Sequence, residues 1–285
     1  MKDIPILYDI VKCLSQESFF DIFCLINILV SIVLFVYYLK RPMKYGRFYK
    51  TGTSSMKIEI SSKKAMAIIH LFPLLFFVYF IFFYEDMLNP VAPITIPSIV
   101  WVLYSLYKGT LYAYKRSRYA SVWPIETVIL LTAINTCISL IAARVHMEGY
   151  EIPSLYGVLA RSIIMLAAAI IGGISDFQIS SLRYKNEKGY KVCNAFLFQY
   201  MSAPNFFCEF LFKIIWITYF RFDMGSVTFI LWLLPLYYSR AEAIHRWNKK
   251  FFKGSYPAKR TAFIPFVDVS SILNVIIGSM EYGGF

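Results

Sequence analysis

Asn205, Glu209 and Lys213 recur every four residues within an otherwise apolar stretch, which sets an amide, a carboxyl and an amine on one slowly rotating stripe of a single helix. Ionisable groups at membrane depth are costly, so such a stripe marks a ligand site or a helix contact. Asp176 stands seven residues before Arg183, about two turns along the same face. Arg240, Glu242, His245 and Arg246 form a third polar group further on. Cations elsewhere come with aromatic and small residues, as in Tyr45-Gly46-Arg47, Arg183-Tyr184-Lys185 and Tyr190-Lys191. That mixture suits a phosphate-bearing ligand lying at a membrane face. The plainer alternatives are that the cations set topology and touch anionic headgroups, and that Glu209 and Lys213 pair with each other and snorkel.

Other chemistries find little support. His70, His146 and His245 have no ligand spacing relative to one another or to cysteine, so no metal is expected. No G-x-x-x-x-G-K-[ST], H-E-x-x-H or G-x-S-x-G run occurs. The five cysteines are scattered without a C-x-x-C pair and read as reduced, buried thiols. Gly172-Gly173 reads as a place of close helix packing.

The elements that must carry these residues follow from composition. The chain has 285 residues, 58% of them apolar and 16% charged, which is more apolar surface than one soluble core of this length hides. Apolar stretches of about 20 residues, the length that crosses the hydrocarbon layer, begin near Phe19, Ala65, Ile94, Pro124, Leu155, Ala195 and Ser226. Seven transmembrane helices in one all-α domain is the expected fold. The segments Lys40–Lys64, Lys108–Arg118, Arg183–Lys191 and Arg240–Arg260 hold 23 of the 29 Lys and Arg. The opposite loops are close to balanced, with Glu85 and Asp86, then Arg144 with Glu148 and Glu151, then Arg221 with Asp223. The positive-inside rule then places the N-terminus out and the C-terminus in. With Asp3 and Asp9 near the start and no small-residue cleavage site, the first span is expected to stay in the mature protein. The cations lie between apolar spans, so no nucleic acid partner is expected.

The C-terminal half carries a more specific pattern. Ser202-Ala203-Pro204-Asn205-Phe206-Phe207-Cys208-Glu209 is followed by His245-Arg246-Trp247, Tyr256-Pro257-Ala258-Lys259-Arg260 and Ile264-Pro265-Phe266. In order and spacing these resemble the steroid 5α-reductase family, whose pattern runs N-[FY]-x-x-E, H-R-[WF]-Y, Y-P-K-x-R and I-P-F. Ser175-Asp176, Leu182-Arg183 and Tyr190-Lys191 fit upstream, and Pro42 to Arg47 resembles the P-x-G-Y-G-[KR] element after the first helix. The resemblance covers roughly residues 40–266 and is strong beyond Asp176.

It implies a seven-helix domain over 1–266, with its cofactor-binding part at about 170–266. It also implies NADPH-dependent reduction of a conjugated carbon–carbon double bond in a lipid: a steroid enone, a polyprenal or an enoyl thioester. Hydride transfer to the β-carbon there needs a donor for the developing enolate oxygen. Cofactor-binding positions implied by the family are Arg47, Asp176, Arg183, Tyr190, Lys191, Asn205, Glu209 and His245.

Several positions depart from the pattern. The family carboxylate of Q-E-L-P falls on Leu71 in His70-Leu71-Phe72-Pro73, and the Tyr of H-Y-x-x-R falls on Ser105 in Tyr104-Ser105-Leu106-Tyr107-Lys108. A family Asn falls on Gly172, the Tyr after H-R-W on Asn248, and a Trp on Lys213. Losing one such donor typically costs on the order of 100- to 1000-fold in rate, so His70, Tyr104 or Tyr107 would have to act as the catalytic donor.

Two functions therefore stand open: an active lipid enone or enal reductase, and a homologue that has lost catalysis and serves as a structural subunit among other membrane proteins, keeping nucleotide or lipid. A lipid or sterol sensor is a third. Partners are membrane lipids and, if active, a lipid substrate. The family implies the endoplasmic reticulum; a complex subunit could equally sit in the mitochondrial inner membrane. The run Ile272–Ile277, too short to span, reads as an interfacial or partner-binding helix within 267–285.

Overall fold

A computed structural model describes residues 13, 16–83, 95–116, 121–147, 154–182, 189–220 and 222–268. Arg183, the acidic loop residues in 84–94 and 148–153, and the extension beyond residue 268 lie outside the described residues.

The first helix, α1 (Glu17–Lys40), is built inside out. Ile22, Leu25, Leu29 and Val33 are exposed while Cys24, Asn27 and Ser31 are buried. Water would penalise that arrangement, whereas lipid favours it, because hydrocarbon solvates the outer leucines and the bundle satisfies the inner polar groups. The Asn27 side-chain oxygen accepts from Trp232 Nε1 at 3.0 Å, tying α1 to a helix two hundred residues later.

Helix α2 (Ser62–Phe83) contains Pro73, which removes the amide donor due to the Ile69 carbonyl. Helix α3 (Thr95–Tyr107) opens into a π turn at Lys108–Tyr112 before a last turn, Ala113–Arg116. There Thr110 Oγ1 donates to the Leu106 carbonyl at 2.5 Å, and such back-bonding competes with the helical ladder. Helix α4 (Ile125–Met147) follows a two-stranded ribbon, β1 (Glu59–Ser61) against β2 (Val122–Pro124), antiparallel with Ile60 opposite Trp123.

Helix α5 (Leu155–Ser181) starts where the Ser154 hydroxyl accepts from the Gly157 amide at 3.4 Å. Helix α6 (Pro204–Ile217) begins on a proline, whose missing amide costs nothing at a first turn. The apolar stretch near Ala195 therefore divides: Phe196–Gln199 forms a 3₁₀ turn and the helix proper starts at Pro204. Helix α7 (Met224–Leu233) is capped by Asp223, which accepts from the Ser226 amide at 2.7 Å. Through a π turn at Leu234–Tyr238, with Pro235 in its first positions, it runs into the polar helix α8 (Ser239–Phe252).

Among the described residues, four helices are long and apolar enough to cross a bilayer: Glu17–Lys40, Ser62–Ile81, Ile125–Arg144 and Leu155–Ser181. Helices α3, α6 and α7 are shorter apolar helices packed among them. The tightest pairs are α2 with α4 and α5 with α6. At Gly172 a Cβ would lie 3.1 Å from that of Cys208, so this glycine is a close-packing site between α5 and α6.

Two of the cations read as lying in basic loops are corrected here. Lys108, counted among loop cations, is only 3% exposed within the continued α3. Arg240 is buried as well: it donates to the Met43 and Tyr45 carbonyls at 3.1 and 3.0 Å and stacks on the Tyr45 ring at 3.7 Å. Charge counting along a chain cannot separate a loop cation from one folded back into the bundle.

Candidate active site

The centre of the bundle is a network of charged side chains drawn from three helices. Lys108 from α3 reaches Asp176 of α5 at 2.8 Å and Glu209 of α6 at 3.0 Å, and Asp176 is fully buried. Asn205 Nδ2 donates to the other Asp176 oxygen at 3.1 Å, and Tyr237 Oη donates to the other Glu209 oxygen at 3.0 Å. Every carboxylate oxygen thus has a partner, a condition for keeping such charges out of water. The Tyr104 and Tyr112 rings lie 5.7 and 4.8 Å from the Lys108 ammonium, within cation–π reach.

Two adjoining cavities meet this network and share His70, Asn135 and Glu209. The smaller is walled by Leu74, Trp101 and Phe212 and is also lined by Tyr104, Ser105 and Lys213. The larger extends from Tyr45, two residues before Arg47, to Asn205 and Glu209. Of the candidate catalytic donors, His70 and Tyr104 line the cavities. Tyr107 does not; it packs by its hydroxyl end over Gly173, where a Cβ would lie 3.3 Å away. Leu71 likewise lines neither cavity and lies against Gly109.

The remaining candidates sit in two further groups. Arg47 donates to Asn248 Oδ1 at 2.8 Å and lies over the Trp247 and Tyr190 rings at 4.5 and 5.4 Å. Asn248, at the family Tyr position, is thereby the acceptor for Arg47. Lys191 is exposed beside this group. His245 is buried on α8. Its Nδ1 is 2.5 Å from Ser202 Oγ, which also meets Tyr256 Oη at 2.6 Å and donates to the Thr261 carbonyl at 3.1 Å. Arg260 Nη2 donates to Asn194 Oδ1 at 2.5 Å nearby. The family-like motifs around 202, 245 and 256–261 are thus knotted together.

Burial pushes His245 down to about 4 from its ordinary 6.5, with Lys249 adding to the shift. Protonation is disfavoured in the folded state, so stability is fully present above about pH 6.5 and is lost as the pH falls towards 4. The full loss is roughly 3 kcal/mol. Thermal melting between pH 7 and 4 should be steeper for the wild type than for His245→Gln, and identical slopes would contradict this.

Sequence reasoning did not foresee Lys108, Asn135 or Tyr237 as site residues. The readable signal was Asn135, an amide in the middle of an apolar span. Tyr237 gave none, because tyrosine is common in apolar stretches.

An apolar exterior around a buried ionic network defines a helical integral membrane protein. A family profile for 3-oxo-5-alpha-steroid 4-dehydrogenase matches residues 123–268, just over half the sequence, and the chain belongs to that family. It is 34% identical over 102 residues to 3-oxo-5-alpha-steroid 4-dehydrogenase 1 of Rattus norvegicus, covering 36% of this chain and 39% of that protein. Identity to the steroid 5-alpha-reductase DET2 of Arabidopsis thaliana is 30% over 105 residues, covering 37% and 40%. The chain thus spans about two fifths of the length of these two relatives. The DET2 protein of Gossypium hirsutum aligns over 265 residues at 24% identity, 89% of this chain and 99% of that one.

Proposed function

We propose that this protein is a seven-helix reductase that uses NADPH to reduce the conjugated carbon–carbon double bond of a neutral lipid enone, a steroid being the leading class. Family membership combined with a buried, fully paired Lys108–Asp176–Glu209 network at two cavities carries the reading. The donor set suits a nicotinamide dinucleotide: Arg47 and Lys191 for phosphates, with Arg183 by resemblance, and Asn205, Asp176 and Glu209 for amide and ribose groups. The larger cavity runs from Tyr45 to Asn205 and Glu209. When bound, the dinucleotide supplies a hydride. His70 and Tyr104, which line the smaller cavity, are the chain's own donors in place of Leu71 and Ser105. His245 acts by holding Ser202, which in turn meets Tyr256, and so positions the segment before α6. On this reading α3, α6 and α7 complete seven spans, the basic side faces the cytosol, and the membrane is that of the endoplasmic reticulum.

The test is whether purified protein binds NADPH and oxidises it in the presence of testosterone-like enones, polyprenals or enoyl-CoA. Turnover with an enone and about 100-fold less with Glu209→Gln is the expected result. Bound NADPH that none of the three substrates oxidises would instead make the chain a structural subunit, the reading that Leu71 in the family carboxylate position favours.

A further inference from the structure

We propose that Lys213, held by Asn135, is the docking point for the carbonyl oxygen of a neutral lipid in the smaller cavity. This rests on the reductase reading for the ligand's enone character, but the binding site itself is argued from the bundle.

Lys213 is 7% exposed and lines the smaller cavity from α6. An ammonium has three donors, yet among the described residues its one hydrogen bond is to Asn135 Oδ1 at 3.5 Å, the outer limit of such a contact. Asn135 is itself anchored, donating to the Leu131 carbonyl at 2.8 Å. Glu209, one turn earlier on the same helix, is the carboxylate closest in sequence, but its oxygens are taken by Lys108 and Tyr237. The Trp101 and Tyr237 rings stand 5.7 and 5.6 Å from the Lys213 nitrogen and soften its desolvation without using its donors. A buried amine with donors to spare, lining a cavity that also has Leu74, Trp101 and Phe212 in its wall, is arranged to meet an oxygen that the protein does not supply.

Charge balance selects the kind of oxygen. The network contains two cations, Lys108 and Lys213, and two carboxylates, Asp176 and Glu209. A lipid carboxylate would add an uncompensated charge to a low-dielectric site, whereas a ketone or aldehyde takes the N–H and leaves the balance at zero. Trp101 and Phe212, 5.7 Å apart between ring centroids, offer aromatic surface to the apolar body of the ligand. During reduction of a conjugated carbonyl, the same N–H opposes the negative charge that develops on that oxygen. Lys213 then joins His70 and Tyr104, from α6, in supplying what Leu71 on α2 and Ser105 on α3 lack.

The experiment needs no nucleotide. Testosterone carrying a ¹³C-labelled carbonyl is bound to purified wild-type, Lys213→Met and Lys213→Gln proteins, and the carbonyl stretch is read by isotope-edited infrared spectroscopy. Affinities are measured for testosterone, for its carbonyl-reduced alcohol and for a steroid carboxylic acid. The expected result is a stretch in the wild type below its frequency in water, a smaller shift in Lys213→Gln, and none in Lys213→Met. Testosterone affinity should fall about 10- to 100-fold in Lys213→Met, the loss of one charge-assisted hydrogen bond, with little change for the alcohol. An unchanged shift in Lys213→Met overturns the proposal, as does tighter binding of the carboxylic acid than of the ketone. Should neither variant fold, the wild type decides alone: a carbonyl frequency typical of an apolar solvent rejects the docking point. A Lys213-dependent shift without NADPH oxidation would sink the reductase reading and leave this one standing, while turnover untouched in Lys213→Met would do the reverse.

Discussion

A Lys108→Met variant is expected to lose about 3–5 kcal/mol of stability, because removing one member of a buried ionic group strands the charges that remain. Methionine matches lysine in length and packs well, so a cavity contributes little. The cost arises from Asp176 and Glu209, which would keep only Asn205 and Tyr237 as hydrogen-bond partners. Lys108→Arg, the residue of the family pattern at this position, should keep most of the stability. The double variant Lys108→Met/Asp176→Asn should recover much of the loss, since Lys213 and Glu209 then balance and no net charge is left buried. Melting in detergent, followed by tryptophan fluorescence, separates these outcomes. A double variant no more stable than the single one would show that packing, and not charge, sets the cost.

The second large effect concerns Leu71. If the family carboxylate were simply missing, Leu71→Glu should restore it and raise reductase activity. The structure leads to the opposite expectation. Leu71 lines neither cavity, and its side chain lies within 2.6 Å of where a Cβ on Gly109 would sit. A carboxylate there would enter a packed contact between α2 and α3 with no cation assigned to it. Leu71→Glu is therefore expected to destabilise by several kcal/mol and to add no turnover. His70, one residue earlier and lining both cavities, is the α2 residue that reaches the site. A rise in NADPH oxidation with Leu71→Glu would mean that α2 presents the other face.

Much of the architecture could be read before the coordinates. The starts expected near Phe19, Ala65, Pro124, Leu155 and Ser226 lie within three residues of helices beginning at Glu17, Ser62, Ile125, Leu155 and Met224. Long apolar runs leave few alternatives. The stripe of Asn205, Glu209 and Lys213 is also real, each member buried and hydrogen-bonded inwards. What the residues could not disclose was pairing across helices. Glu209 takes Lys108, 101 residues away, in preference to Lys213 four residues away, because helix packing brings α3 closer than the next turn of α6. The π turn after Lys108 was equally hidden, since a wide turn leaves no mark in hydrophobic periodicity.

The ion pair between Lys108 and Asp176 also has a history within each synthesised molecule. Its partners are 68 residues apart, so the lysine enters the membrane well before the first carboxylate that will neutralise it has been translated. At ~5–20 residues per second, that interval is on the order of 3–14 s. Glu209 follows later still. A lysine in an apolar helix opposes its own insertion, by up to about 3 kcal/mol at the helix centre, so α3 is expected to dwell at the translocon or against a membrane chaperone until α5 arrives. The feature that holds the mature bundle together is thus the one that makes its assembly wait.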